Sequence, residues 1–193
     1  MPRVHTVKKA RKDYPEQGIK KGDTYYYWTF RYGGKRKSKT YPKPSQLTQS
    51  SFLQTYYGIQ ENIQEWEGEI SDLESFREEV ITDLESLRDE SQDSLDQMPD
   101  HLQDSSPVGE MLTARVEGIE EWLNELENIE VPEEEEIKEE AMEAISTPYM
   151  QDKKEEDLSE DDKEKLEEKM EELKDDKIQE LKDQMLEGDP GVE

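Results

Sequence analysis

An apolar residue recurs at every third or fourth position through the middle of this chain, and this spacing constrains the fold more than any other feature. The run begins with Phe52, Tyr56, Ile59, Ile63, Trp66, Ile70 and Leu73, and it resumes after Arg77 with Val80, Leu84 and Leu87. A 4-3 spacing places these side chains on one side of a helix and is typical of coiled coils. We therefore predict one long helix over residues 48–97.

A second run with the same spacing follows a break at Pro99. Ser106 and Pro107 predict the start of this helix, because Ser is a favoured N-cap and Pro a favoured first helical residue. The apolar positions then continue to Ile129. Since the connection between the two runs is short, we predict an antiparallel helical hairpin over residues 48–131.

The second helix is about half as long as the first, so the first half of the longer helix needs another partner. The side chains predicted to bind that partner are Tyr56, Ile59, Ile63, Trp66 and Ile70. Either a short helix after Pro132 or a second copy of the chain covers them. The spacing by itself does not distinguish a monomer from a coiled-coil dimer or from a contact with another protein.

Residues 132–193 are predicted to be an acidic tail that is helical or partly mobile. Pro148 predicts a break, and Ser159 predicts the N-cap of a last helix that runs to about Leu186. The apolar stripe of this charged helix is thin, so the helix is solvated, dependent on a partner or mobile. The last residues, 189–193, are predicted to fray.

The charges of the chain are divided between its two ends. The formal net charge is −27 and only 30% of the residues are hydrophobic, which argues against a large single core. Residues 1–50 nevertheless contain 13 basic and three acidic residues, a net charge of +10, and the remainder carries −37. Such an asymmetry predicts a head that binds polyanions on an acidic body.

The basic head, residues 1–47, is predicted to be a small β-sheet. A run of aromatic residues from Tyr25 to Tyr32 favours a strand, and Gly33-Gly34 followed by a basic run favours a hairpin. Residues 3–9 supply a third strand. A two-residue loop at Gly33-Gly34 pairs Tyr32 with Lys35 and places the even-numbered rings beside lysines. The predicted fold class is mainly α, with a small N-terminal antiparallel β-sheet, a long helical hairpin or coiled coil, and a charged C-terminal helix.

Aromatic rings beside cations predict a nucleic-acid-binding surface, because bases stack on rings and phosphates meet Lys and Arg. The alternative is that the rings form the only core of the head. The residues predicted to bind nucleic acid are Lys8, Lys9, Arg11, Lys12, Trp28, Arg31, Lys35, Arg36, Lys37 and Lys39. Nothing in the pattern distinguishes DNA from RNA.

The string YYYWTFRYGGKRKSKTYPKPSQLT, residues 25–48, resembles the small β-sheet arm-binding domains at the start of phage-type tyrosine recombinases. Those domains also pass from an aromatic strand through a Gly turn to a basic strand, then to a Pro and a helix. The string also resembles the start of uncharacterised phage-borne proteins. The resemblance covers about a quarter of the chain, and no recombinase catalytic domain follows. It implies contact of the sheet with DNA and no catalysis.

No motif that carries chemistry is present in the sequence. There is no glycine-rich phosphate loop, no metalloprotease pair and no nucleophile elbow. The absence of Cys excludes disulfides and thiolate metal sites, and His5 and His101 stand alone. We expect neither an enzyme, nor a cofactor, nor a metal. The chain also lacks an apolar run long enough to span a membrane or to form a signal peptide, so we expect a cytoplasmic protein.

The predicted function is that of a non-catalytic accessory protein, which binds DNA or RNA through the basic head and a protein or a second copy through the helical body. An alternative is that the acidic body mimics nucleic acid and inhibits a nucleic-acid-binding protein, as a small phage inhibitor does. A second alternative is a scaffold that binds proteins through the coiled coil. The net charges of the two parts are compatible with all three.

Overall fold

A computed structural model describes residues 1–145 and 158–188. These residues form a three-stranded antiparallel sheet near the N-terminus followed by long helices, which confirms the predicted fold class. The chain divides into two compact units, residues 1–62 and residues 63–193. The sequence instead places boundaries after residues 47 and 131. The predicted break at Pro148 and the predicted frayed residues 189–193 lie outside the described residues.

The sheet consists of β1 (His5–Val7), β2 (Tyr25–Phe30) and β3 (Gly34–Ser38), in the order β1-β2-β3. The aromatic run forms the central strand because aromatic side chains favour the extended backbone and pack on its two faces. The third strand predicted from residues 3–9 is β1. Its register pairs His5 with Tyr27 and Val7 with Tyr25.

The predicted register of the β2–β3 hairpin is wrong. Phe30 pairs with Gly34 and Trp28 with Arg36, so the loop has three residues, Arg31 to Gly33, rather than two. Gly34, the first residue of β3, has a left-handed φ of 74°, a conformation that glycine adopts without steric cost. The pairing differs from the predicted one by an odd number of residues, so the side chains of β3 exchange faces.

The rest of the N-terminal unit packs on the two faces of the sheet. A turn at Pro15–Gln17 brings the backbone of Tyr14 opposite that of Ile19. Ile19 then joins Ala10 and Tyr25 in a small core. Further along the chain, a 3₁₀ turn at Pro44–Leu47 leads to helix α1 (Ser51–Glu65). Because few aliphatic residues are available here, rings provide much of the buried surface.

The single helix predicted over residues 48–97 is also wrong, because the structure has two helices. Helix α1 ends at Glu65, and α2 (Leu73–Asp96) begins after a 3₁₀ turn at Ile70–Asp72. Between them the ring of Trp66 lies so close to Gly68 that a Cβ there would be 2.5 Å from the ring. The Trp66 ring stacks on Phe76, with the ring centroids 5.0 Å apart. This packing interrupts the helix although the apolar spacing continues through it.

The predicted helical hairpin forms between α2 and α4 (Pro107–Glu127), with a four-residue helix α3 (Asp100–Gln103) in the connection. Ser106 caps α4 as predicted, because its Oγ accepts a hydrogen bond from the Gly109 N–H at 3.0 Å. Arg77 at the start of α2 donates a hydrogen bond to the carbonyl of Ile129 just beyond the end of α4. The two helices are therefore antiparallel.

The C-terminal helices α5 (Glu134–Ile145) and α6 (Glu160–Met185) pack on each other through a small apolar cluster that includes Ala141 and Leu166. Ser159 caps α6 as predicted. The predicted helix is thus present, and its thin apolar stripe is buried at Leu181 and Met185. The described part of the tail is therefore packed helix rather than a solvated one.

The residues predicted to bind a partner are already covered within the chain. Tyr56, Ile59, Ile63 and Ile70 are buried, and Trp66 is half-buried against Phe76. A second copy therefore has no exposed apolar row to bind at these positions. The break between α1 and α2 therefore falls within a run of apolar positions whose members are mostly buried.

Candidate nucleic-acid interface

The register of the sheet gathers basic and aromatic side chains on one face. His5, Tyr27 and Lys37 lie side by side across the three strands, since His5 and Lys37 are both paired with Tyr27. Lys35 is two residues from Lys37 along β3 and points to the same side. Lys12 and Tyr14 approach this face from the preceding loop. We call these six residues, His5, Lys12, Tyr14, Tyr27, Lys35 and Lys37, the lysine–tyrosine face.

Aromatic rings hold the ammonium groups of this face in place. The Nζ of Lys35 lies 3.5 Å from the centroid of the Tyr27 ring, and the Nζ of Lys37 lies 3.7 Å from that of Tyr14. Lys12 is also near Tyr14, at 5.5 Å. A cation over a ring is attracted by the negative face of the π system. The lysines are therefore ordered before any anion arrives, which lowers the entropy lost on binding.

The Tyr27 ring has contacts beyond its cation. His5 stacks on it, with the centroids 4.9 Å apart and the ring planes 15° apart, and Lys35 also lies over it. A base has little of this ring left to stack on. The rings of the lysine–tyrosine face are therefore in contact mainly with cations and with His5.

A buried tyrosine packs against the rings of the lysine–tyrosine face. Tyr25 packs with Ala10 and Ile19, and its ring is tilted against that of Tyr14 with the centroids 5.7 Å apart. Burial raises the pKa of the Tyr25 phenol, and the hydrogen bond and charge of Tyr14 raise it further. The phenol thus remains neutral over a wider pH range than a solvated one, and the small core does not gain a buried charge.

The structure spreads the predicted basic residues over five places. Lys12, Lys35 and Lys37 meet on the lysine–tyrosine face, and Lys8, Lys9 and Arg11 are exposed on the segment that leads to it. Lys39 forms an ion pair with Asp23 at 3.8 Å. Arg31 lies in the hairpin loop beside Tyr32, and Arg36 lies on the opposite face of the sheet with Trp28.

Trp28 requires a correction, because it is not available for stacking. Only 3% of this residue is exposed, so its ring belongs to the core of the head. The exposed rings are instead Tyr32, 85% exposed at the tip of the hairpin, and Tyr41, 63% exposed. A base that stacks on this unit therefore meets Tyr32 or Tyr41, not the tryptophan.

Sequence reasoning did not identify His5, Tyr14 or Tyr27 as parts of the interface. Their role depends on the hairpin register, which the two adjacent glycines leave open between a two-residue and a three-residue loop. A signal was present, because the second of the two glycines can adopt the left-handed conformation directly after a three-residue loop, as Gly34 does. With that register, Lys35 and Lys37 fall on the same face as Tyr27.

The electrostatic environment favours anions around the N-terminal unit. Residues 1–62 contain 13 basic and four acidic residues, a net charge of +9, and residues 63–193 carry −36. Within residues 1–145 and 158–188 there is no cluster of three or more His, Cys, Asp or Glu side chains that could hold a metal ion. No helix in that part of the chain is long and apolar enough to cross a bilayer.

Comparison of the chain with protein-family models, with curated proteins and with solved structures finds no match. The functional assignment therefore depends on the geometry and charge of the site itself.

Proposed function

We propose that this chain is a non-catalytic accessory protein that binds nucleic acid through the phosphate contacts of its N-terminal unit. The observation that supports this proposal is the pair of lysines held over tyrosine rings, Lys35 over Tyr27 and Lys37 over Tyr14. Two ordered ammonium groups on one strand, with further exposed cations nearby, fit the regular negative charge of a phosphate backbone.

The way in which the lysines are held also predicts the kind of binding. Ammonium groups are point charges without the planar fork of arginine, so they contact phosphates with little selection for sequence. Tyr32 and Arg31 at the tip of the hairpin add an exposed ring and cation. We therefore expect weak sequence preference, strong dependence on salt, and a contribution of base stacking where bases are unpaired.

The full chain and fluorescent 20-nucleotide DNA and RNA strands, single and double, provide the test. We expect binding at 50 mM salt and a fall of log K with log salt, with a slope of about −0.7 to −0.9 for each phosphate contact. Absence of binding at 50 mM salt to every one of these oligonucleotides contradicts the proposal. Binding that does not weaken with salt contradicts it as well, because phosphate contacts release counterions.

A second candidate function concerns the acidic unit, where a cleft of about 1230 Å³ is lined by eight glutamates. Arg77 and Lys177 are the basic residues of its wall. Such a surface suits a basic protein segment, as in a protein that mimics nucleic acid or serves as a scaffold for partners. Titration of the full chain with a lysine-rich peptide tests it, and a Gly/Ser-rich peptide of equal length is the control.

A further inference from the structure

A cleft of about 530 Å³ lies on the face of the sheet opposite the lysine–tyrosine face. The strands β2 and β3 form one wall with Trp28, Phe30 and Arg36, and residues 45–54 form the other. We call it the Trp28 cleft. Its volume is within the range of sites that hold a small molecule or one unit of a polymer.

The indole N–H of Trp28 is an unused donor in the wall of this cleft. The residue is 3% exposed, and Nε1 has no hydrogen-bond acceptor among the described residues. A buried donor without an acceptor loses the hydrogen bond that it makes with water in the unfolded chain, and native proteins rarely leave one in place. The nitrogen is closed to solvent, so an acceptor reaches it when a neighbouring side chain moves. Gln49 and Gln54 are exposed glutamines of the opposite wall.

Arg36 supplies a positive charge on the same side of the sheet. It is paired with Trp28 across β2 and β3, so both side chains point to the cleft. No hydrogen bond or ion pair engages its guanidinium within the described part of the chain. Lys37 also lines the cleft, but its ammonium lies over Tyr14 on the other face. Arg36 is thus the cation that a ligand in the cleft meets.

Side-chain oxygens of Glu61 and Gln46, beside the wall formed by residues 45–54, already have donors. The carboxylate of Glu61 accepts from the Ser45 N–H at 2.9 Å and from its hydroxyl at 2.8 Å. The Oε1 of Gln46 accepts from the Lys43 N–H at 3.2 Å. With these acceptors occupied, the cleft offers donors, and a ligand that matches it carries acceptor oxygens and negative charge.

We propose that the Trp28 cleft binds the phosphate group of a nucleotide, with the guanidinium of Arg36 and the indole N–H of Trp28 as its donors. Arginine binds phosphate through two parallel hydrogen bonds, and Phe30 provides an apolar wall for the sugar or base. The choice of a nucleotide as the source of the phosphate rests on the proposed function. The inference that the cleft binds a negatively charged group with acceptor oxygens does not rest on the proposed function, because it follows from the donors around Arg36.

The indole N–H signals of the ¹⁵N-labelled full chain test this directly. The chain has three tryptophans, and the Trp66→Phe and Trp122→Phe variants assign the Trp28 signal by elimination if Trp28→Phe does not fold. We expect dAMP and inorganic phosphate to move the Trp28 signal in a saturable manner. Deoxyadenosine, which lacks the phosphate, leaves it in place. An unmoved Trp28 signal at saturating dAMP overturns the proposal.

A matched pair of variants identifies the cation. Arg36→Gln weakens dAMP binding about tenfold or more, because a charged bidentate contact is lost. Arg3→Gln removes an exposed charge outside the cleft and leaves the affinity unchanged. Equal affinities of the two variants overturn the assignment of Arg36, and an equal loss in both shows only a general attraction to positive charge.

The results also separate this proposal from the proposed function. A chain that binds oligonucleotides with a steep salt slope but whose Trp28 signal ignores dAMP has the proposed function without the cleft site. A chain that binds dAMP at Trp28 but no oligonucleotide has the cleft site and not the proposed function. A Trp28 shift with a 5′-phosphorylated strand and none with its 5′-hydroxyl counterpart assigns the phosphate to strand ends, and a shift with both assigns it to the backbone.

Discussion

The charged side chains of the two units of this chain have different contacts. In residues 1–62 four cations lie near aromatic rings, as Lys35 does over Tyr27. Among the described residues of 63–193 the acidic side chains are mostly exposed, and many of their ion pairs are local, such as Lys169 with Glu172. Exposed local pairs of this kind contribute only tenths of a kcal/mol.

The cores of the units explain this difference. Residues 63–193 bury mainly aliphatic side chains at helical spacing, such as Leu84 and Ile119. The N-terminal unit buries the rings of Tyr25, Trp28, Phe52 and Tyr56 beside a few aliphatic residues such as Ile19 and Ile59. A ring provides apolar surface and also a face that attracts cations, whereas a leucine provides only the surface. The small unit therefore obtains its core and its candidate interface from the same residues.

The largest effect is expected when the lysines that lie over rings in the N-terminal unit are neutralised. Replacement of both Lys35 and Lys37 by Gln lowers the affinity for a single strand about thirtyfold at 0.1 M salt and flattens the salt slope by nearly two contacts. The control is Lys163→Gln with Lys165→Gln, two lysines of the acidic unit near Glu160 and Asp162. Fluorescence anisotropy measures both. An equal loss in the control contradicts a localised interface.

The stability of the C-terminal unit, residues 63–193, is expected to be sensitive to a substitution at Gly188. A Cβ at this position would lie 1.9 Å from Cγ of Trp122, so Gly188→Ala forces the end of α6 away from α4. We expect a loss of about 2 kcal/mol in the free energy of unfolding, the usual cost of overpacking. Urea unfolding monitored by tryptophan fluorescence measures it. Gly58→Ala, where a Cβ has open space, is the control and destabilises little.

The two units also differ in the hydrogen bonding of a buried tryptophan. Trp122 donates its indole N–H to the carbonyl of Met185 at 2.8 Å, whereas Trp28 has no acceptor among the described residues. Trp122→Phe therefore leaves a buried carbonyl unsatisfied and costs about 1–2 kcal/mol more than Trp28→Phe. Equal losses in urea unfolding show that the indole N–H of Trp28 also makes a stabilising bond in solution.

A smaller effect is expected at the tip of the hairpin. Tyr32→Leu removes the exposed ring and weakens binding to single strands about fivefold, because the lost stacking is worth about 1 kcal/mol or more for each base. Binding to duplex DNA stays the same, since its bases are already stacked. Tyr41→Leu is the matched control, because the Tyr41 ring already lies against Tyr26, with the centroids 5.4 Å apart. A larger loss in the control identifies Tyr41 as the stacking residue.

The smallest effect concerns pH. Burial, followed by the hydrogen bond and charge of Tyr14, raises the pKa of Tyr25 above 10.0. Between pH 10.0 and the raised pKa, the Tyr25 phenol therefore keeps its proton in the folded state and loses it in the unfolded state. Stability from this group is complete below pH 10 and falls as the pH rises through the raised value. Urea unfolding between pH 9 and pH 11.5 measures the loss, which we expect to be smaller in Tyr25→Phe. An identical pH dependence in both proteins contradicts the role of Tyr25.

Much of the fold follows from the sequence. The 4-3 spacing predicts that α2 pairs with α4, and the structure confirms this, as it confirms the caps at Ser106 and Ser159. The helix predicted from this spacing is absent at residues 66–69, although the spacing continues through them. Periodicity indicates which residues are buried, and it does not indicate whether the helix is continuous between them.

The candidate site depends more heavily on tertiary structure. The sequence by itself determines that cations and rings are concentrated in the first 50 residues and carboxylates in the remainder, since composition does not depend on conformation. The strands are also determined locally, because aromatic runs favour extended backbone.

Only the tertiary structure decided which ring meets which cation. The hairpin register places Lys37 opposite Tyr27, and packing of the loop around Tyr14 then brings a second ring to the same face. Strand side chains alternate between two faces, so an odd shift in register moves every one of them to the other side. For that reason Arg36 lies on the same side of the sheet as the buried Trp28, and Lys35 and Lys37 lie on the side of Tyr27.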